Sequence, residues 1–155
     1  MTHLIARMAA CAAVIGACIA TPALAQQSGA QPSFGSVTLE AGFLPDPHRK
    51  QITAGGSIDA ARTRGGNCVG MIASAPDYNL VYTAGSSPLV IKVGSQEDTT
   101  LVINAADGRW YCNDDSDGVQ PGIRISNPPS GVYEIWVGTY GEAATPATIY
   151  ITEPG

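Results

Sequence analysis

Apolar and polar residues alternate along most of this chain with a period of two, and turn residues interrupt the runs about every 8–12 positions. Val37, Leu39 and Ala41 alternate with Thr38 and Glu40, and Tyr78, Leu80 and Tyr82 alternate with Asn79, Val81 and Thr83. Leu89 to Val93 and Thr99 to Ile103 are rich in strand formers. Asp107-Gly108 is a hairpin signal that Arg109 to Cys112 answers, and Ile123 to Ser126, Val132 to Val137 and Thr148 to Thr152 follow. Gln51 to Thr53 and Cys68 to Ala73 add shorter strands. Pro45 and Pro47 make Gly42 to His48 a connection, because proline cannot donate to a ladder interior. Ser57 to Arg64 has helical composition but is too short for a helix that stands alone, and reads as loop or weak strand. The pattern predicts an all-β protein, an antiparallel, jelly-roll-like β-sandwich of about eight or nine strands. In Val132 to Val137, Tyr133, Ile135 and Val137 share one face, and Val132, Glu134 and Trp136 share the other. Glu134 suggests that the other face is partly wet, with Trp136 on it or at its edge, where it reads as core.

The first 25 residues break this pattern. Arg7, the apolar run Met8 to Ala20 and the triplet Ala23-Leu24-Ala25 read as a signal peptide over 1–25, and the run is too short for a membrane span. Ile15 to Cys18 also resembles a lipoprotein processing box, with Cys18 as the lipidated residue. A polar stretch over 26–35 predicts a flexible tail, and 36–155 a single domain exported to the periplasm or beyond.

Export changes the reading of the cysteines. Cys68 and Cys112 remain after processing, and an oxidising compartment favours one Cys68–Cys112 disulfide over free thiols or a metal pair. Such a bridge contributes about 3–4 kcal/mol by closing a loop of about 45 residues. The chain carries a net charge of −5, with no basic run, so neither nucleic acid nor an anionic membrane surface is an expected partner.

The densest acidic stretch is Asn113, Asp114, Asp115 and Asp117, followed by Gly118. Oxygen ligands at alternate positions before a glycine match the opening of a calcium loop, and a divalent cation would relieve the repulsion of three neighbouring aspartates. An EF-hand is excluded, since Arg124 stands where a bidentate Glu is required. A solvated acidic turn accounts for the same residues.

Three elements in order, Asp98 to Ile103, Gly108 to Asp115 and Ser130 to Tyr140, resemble bacterial pre-peptidase C-terminal domains. The resemblance covers about Tyr78 to Thr152. It implies a small jelly-roll-like sandwich related to collagenase collagen-binding modules. Members usually trail a secreted peptidase, and some bind calcium or polymeric substrates. Asp98, Asn113, Asp114 and Asp115 match the family's acidic motif, whereas Asp117 rests on the loop pattern alone. This chain departs from the family in having extra strands from Val37 to Ala75 where a peptidase would precede, and the expectation is a domain that stands alone.

His48 is the sole histidine outside the leader, and it lies between Pro47 and Arg49 in an expected loop without a nucleophile elbow. Asp98, Asp114 and Asp115 are the acids that a glycoside-cleaving pair would draw on. Trp110, Tyr111 and Tyr140 cluster around the acidic loop as a platform for a sugar or peptide. The resulting expectation is a non-catalytic exported module, calcium-stabilised through Asp98, Asn113, Asp114, Asp115 and Asp117, that binds a protein or polysaccharide. A peptidase-associated hydrolase and a purely structural envelope protein are the alternatives.

Overall fold

The computed structural model describes residues 26–141 and 143–153; the expected signal peptide and Cys18 lie outside them. Among these residues eleven strands form two sheets, with one short helix beside them. The strands are β1 (Ser36–Glu40), β2 (His48–Ala54), β3 (Ile58–Asp59), β4 (Met71–Ile72), β5 (Tyr78–Thr83), β6 (Leu89–Ser95), β7 (Thr99–Asn104), β8 (Trp110–Asn113), β9 (Gly122–Ile125), β10 (Gly131–Thr139) and β11 (Thr145–Thr152), and the helix α1 is Ala60–Arg64. The all-β sandwich stands, with more strands than the eight or nine expected.

Sheet A is organised on β10. One edge of β10 pairs β7 from Glu134 to Thr139, and β7 continues into β8 through a hairpin at Asp107-Gly108, where Gly108 takes φ +78°. The opposite edge is shared end to end: β5 pairs Gly131 to Ile135, and β4 pairs Thr139. β1 adds parallel to β5, and β3 adds to β4. The gap between β5 and β4 leaves the Val137 N–H without a strand partner, and the buried carboxylate of Asp77 accepts it at 2.7 Å. Sheet B is a regular four-stranded antiparallel array in the order β2-β11-β6-β9.

The main core lies between the sheets. Leu80, Leu101, Ile103, Tyr133 and Ile135 of sheet A meet Ile52, Leu89, Ile91, Ile149 and Ile151 of sheet B. Each such side chain contributes about 1.5–3 kcal/mol of apolar burial. A second, smaller core sits on the outer face of sheet A, where Trp136 and Val102 are covered by Ile58, Ala60, Cys68 and Ile72.

This second core corrects several expectations. Residues 58–64 form β3 and a helical turn, with Asp59 as N-cap accepting the Ala61 N–H at 2.9 Å. Tertiary packing of Ala60 supplies what the isolated segment lacks. The strand expected over Cys68 to Ala73 shortens to two residues. Glu134 is buried rather than wet: its carboxylate accepts the Gly29 N–H and the Asn104 side-chain amide. The tail expected over 26–35 is held against the sheet, through Gln27 N–H to Ser74 O and Phe34 N–H to Asp77 O, each 2.8 Å. His48 begins strand β2 instead of lying in a loop.

Candidate functional site

Register brings the acidic residues to one end of sheet A. Thr99 pairs Thr139, and Leu101 pairs Asn113, so Asp98, the 113–117 stretch and Tyr140 meet at that end. The exposed Tyr140 donates its hydroxyl to Asp114 Oδ2 at 2.7 Å. That hydrogen bond, followed by burial and the nearby charges of Asp114, Asp115 and Asp98, pushes the phenol up to about 12. Asp98 is raised above the usual carboxylate range by burial first, then by Asp115 and Asp114. One of its oxygens, Oδ1, is buried without a hydrogen-bond partner.

The other two expected ligands are committed elsewhere. Asn113 Oδ1 accepts the Gly122 N–H at 2.9 Å, and its Nδ2 donates to Asp115 O at 3.3 Å. Asp117 exchanges backbone hydrogen bonds with Gln120 to form a tight turn. Gln120, which the sequence did not single out, ties this turn down: its Oε1 accepts the Ser95 N–H at 2.8 Å, and its Nε2 donates to Glu97 O at 3.1 Å. Among the described residues no three histidines, cysteines or carboxylates stand close enough to hold a metal ion. Asp98, Asp114 and Asp115 are the part of the expected set that the fold draws together, and the orphaned Asp98 oxygen is the feature that suits a cation.

The expected aromatic platform is divided by the pleat of β8. Tyr111 packs toward the main core, and Trp110 packs on the second core with Trp136, ring centroids 5.5 Å apart. Tyr140 stays at the acidic corner. The outer face of Trp110 is covered by the Arg64 guanidinium, 3.5 Å from the ring centroid, a cation–π contact invisible in the sequence. Gln26 fixes that guanidinium by accepting its Nε–H at 2.6 Å.

Beside this stack lies a cleft of about 600 Å³, walled by 63–68 on one side and Trp110 to Cys112 on the other. The expected disulfide is present: Cys68 and Cys112 are bonded across it, with Cα atoms 5.0 Å apart. His48 is remote in the fold from these groups' strands, on β2, where its Nε2 and the Tyr78 hydroxyl are 3.2 Å apart. Burial, then the Lys50 charge, lowers its pKa.

The structure is similar to the pre-peptidase C-terminal domain of collagenase from Bacillus anthracis, with a TM-score of 0.46 and 10% identity over 76% of this chain and 94% of that one. That is the family its sequence resembles. It is also similar to a periplasmic inhibitor of g-type lysozyme from Aeromonas hydrophila, with a TM-score of 0.41 and 15% identity over 77% of this chain and 98% of the other. No family model and no curated protein matches the chain. Among the described residues no helix is long and apolar enough to cross a membrane.

Proposed function

We propose that this chain is an exported, non-catalytic β-sandwich module that holds a protein or polysaccharide ligand in the cleft beside the Cys68–Cys112 disulfide. The construction of that cleft supports the reading. Its two walls are covalently joined, and Trp110 is clamped between Arg64 and Trp136, so the concavity is set before any ligand arrives. The exposed Asn67 lines the same cleft, and Asn67→Trp would fill it. Screening the oxidised protein against immobilised polysaccharides and peptides should give a ligand whose binding Asn67→Trp abolishes. Binding that survives this substitution would remove the cleft from the reading.

Calcium at the acidic corner is the second part of the proposal. Asp98, Asp114 and Asp115 do not stand close enough to hold an ion as they are, so calcium would have to draw the Asp114-Asp115 turn onto Asp98, relieving their mutual repulsion and giving the buried Asp98 Oδ1 a partner. Thermal unfolding of the oxidised protein, first in calcium and then in chelator, tests it. A ligand bound to the folded state alone adds about 2.7 kcal/mol at 100 times its dissociation constant. The expected rise is lost in Asp114→Ala, whereas no shift at millimolar calcium makes the corner a solvated turn.

A further inference from the structure

The outward face of sheet B carries a different chemistry. Residues Arg49, Gln51 and Thr53 of β2, Thr148 and Tyr150 of β11, Lys92 of β6 and Arg124 of β9 point away from the core and are exposed or half-exposed. Register sets Tyr150 between Arg49 on one side and Lys92 on the other. Arg124 lies opposite Val90, the next outward position of β6. Four strands at about 4.8 Å spacing therefore carry three cations across about 14 Å.

No carboxylate occupies an outward position on these strands, although the chain has 13 acids against 8 lysines and arginines. Arg62 and Arg109 form ion pairs, with Asp59 and Asp107, but Arg49, Lys92 and Arg124 have no ion-pair partner among the described residues. The acidic loop reaches the border of this face at Ser116, beside Gly122 and Lys92, and Glu97 stands at the far end.

Tyr150 lies down on this surface. A Cβ at Gly94 would meet its Cε2 at 3.1 Å, so glycine is what lets the ring cross the neighbouring strand. The Arg49 guanidinium is 5.8 Å from the ring centroid. Two adjoining grooves of about 870 and 670 Å³ meet over Gln51, Thr148 and Tyr150.

We infer that this face is a second binding surface, separate from the cleft, and that its ligand is a linear carboxylated polysaccharide. A sugar ring stacks on Tyr150, and the carboxylates of it and its neighbours meet Arg49, Lys92 and Arg124. The prone aromatic ring favours a pyranose over an acidic peptide, because it offers a flat apolar area to the C–H face of a sugar. The net charge of −5 opposes the dense charge of a nucleic acid, whereas one carboxylate per sugar matches three spaced cations.

Polygalacturonate is the probe, with neutral dextran and poly-glutamate as comparators, measured by calorimetry on the whole protein in chelator so that calcium bridges nothing. Polygalacturonate should bind and dextran should not. Binding should weaken at least tenfold in Arg49→Gln/Lys92→Gln and in Tyr150→Ala, survive in Tyr150→Phe, and fall with added salt. The exposed Arg49→Gln/Lys92→Gln pair guards against misfolding of Tyr150→Ala. Failure to bind polygalacturonate overturns the inference. So does equal binding of poly-glutamate that Tyr150→Ala leaves unchanged, which would make the face a site for acidic peptides. Neither outcome bears on the cleft, which Asn67→Trp reports separately.

Discussion

The outer faces of the two sheets solve the same problem in opposite ways. On sheet A, the face around Trp136, Val102 and Glu134 is covered by the 26–34 segment, β3, α1 and the disulfide-bonded loop. On sheet B, the corresponding face stays open and carries cations and one tyrosine. Covering a face converts it into core, so Glu134 takes its hydrogen-bond partners from inside the protein. Leaving it open puts no such demand on its side chains and frees them for a partner. The difference also runs through the backbone. Sheet B pairs along continuous strands, whereas the split edge of sheet A needs a buried carboxylate to complete it.

The largest expected effect comes from removing Trp136, which is fully buried. Trp136→Ala should destabilise the protein by about 3–5 kcal/mol, measured by urea unfolding. Thr148→Ala, at an outward position of sheet B, should stay within about 0.5 kcal/mol. Similar losses at the two positions would erase the distinction between a covered and an open face.

The split edge gives the next effect. Burial pushes the Asp77 carboxyl up to about 7, against a hydrogen bond from Val137 that acts to lower it. Below pH about 4 the group is neutral in both folded and unfolded chains. Between about 4 and 7 the folded protein keeps a proton that the unfolded chain has released, so stability falls as pH rises, and above about 7 this contribution levels off. The loss across that window is on the order of 4 kcal/mol. Urea unfolding at a series of pH values should show this slope flattened in Asp77→Asn, which keeps an oxygen for the Val137 N–H. An unchanged slope would assign the pH dependence to other groups.

Most of the strands were legible because alternation reports a face packed on one core. β5 and β11 show it directly, and the uninterrupted apolar run of β7 fits its burial on both faces. The cover over sheet A was not legible. A glutamate in a strand reads as facing water, and what buries Glu134 comes from Gly29 and Asn104, separated from it by 105 and 30 positions. At the acidic corner, Asn113 and Asp117 have the spacing of a calcium loop and equally that of a turn, because asparagine and aspartate suit both. Only the register shows that their groups serve Gly122 and Gln120. The cationic face of sheet B was hidden for a related reason. Arg49, Lys92, Arg124 and Tyr150 are scattered over a hundred residues and become neighbours only when four strands align.

The position of β11 between β2 and β6 has a consequence in time. β2 emerges early in the chain, but its one strand neighbour is made roughly a hundred residues later. Nor does β6 substitute, since its pairing is with β11 and β9. Sheet B therefore cannot close strand by strand during synthesis; its central ladder waits for Thr145 to Thr152. Pairings this distant give slow folding, in milliseconds to seconds rather than microseconds. A nascent chain of this design keeps sheet B open until Thr145 to Thr152 are available.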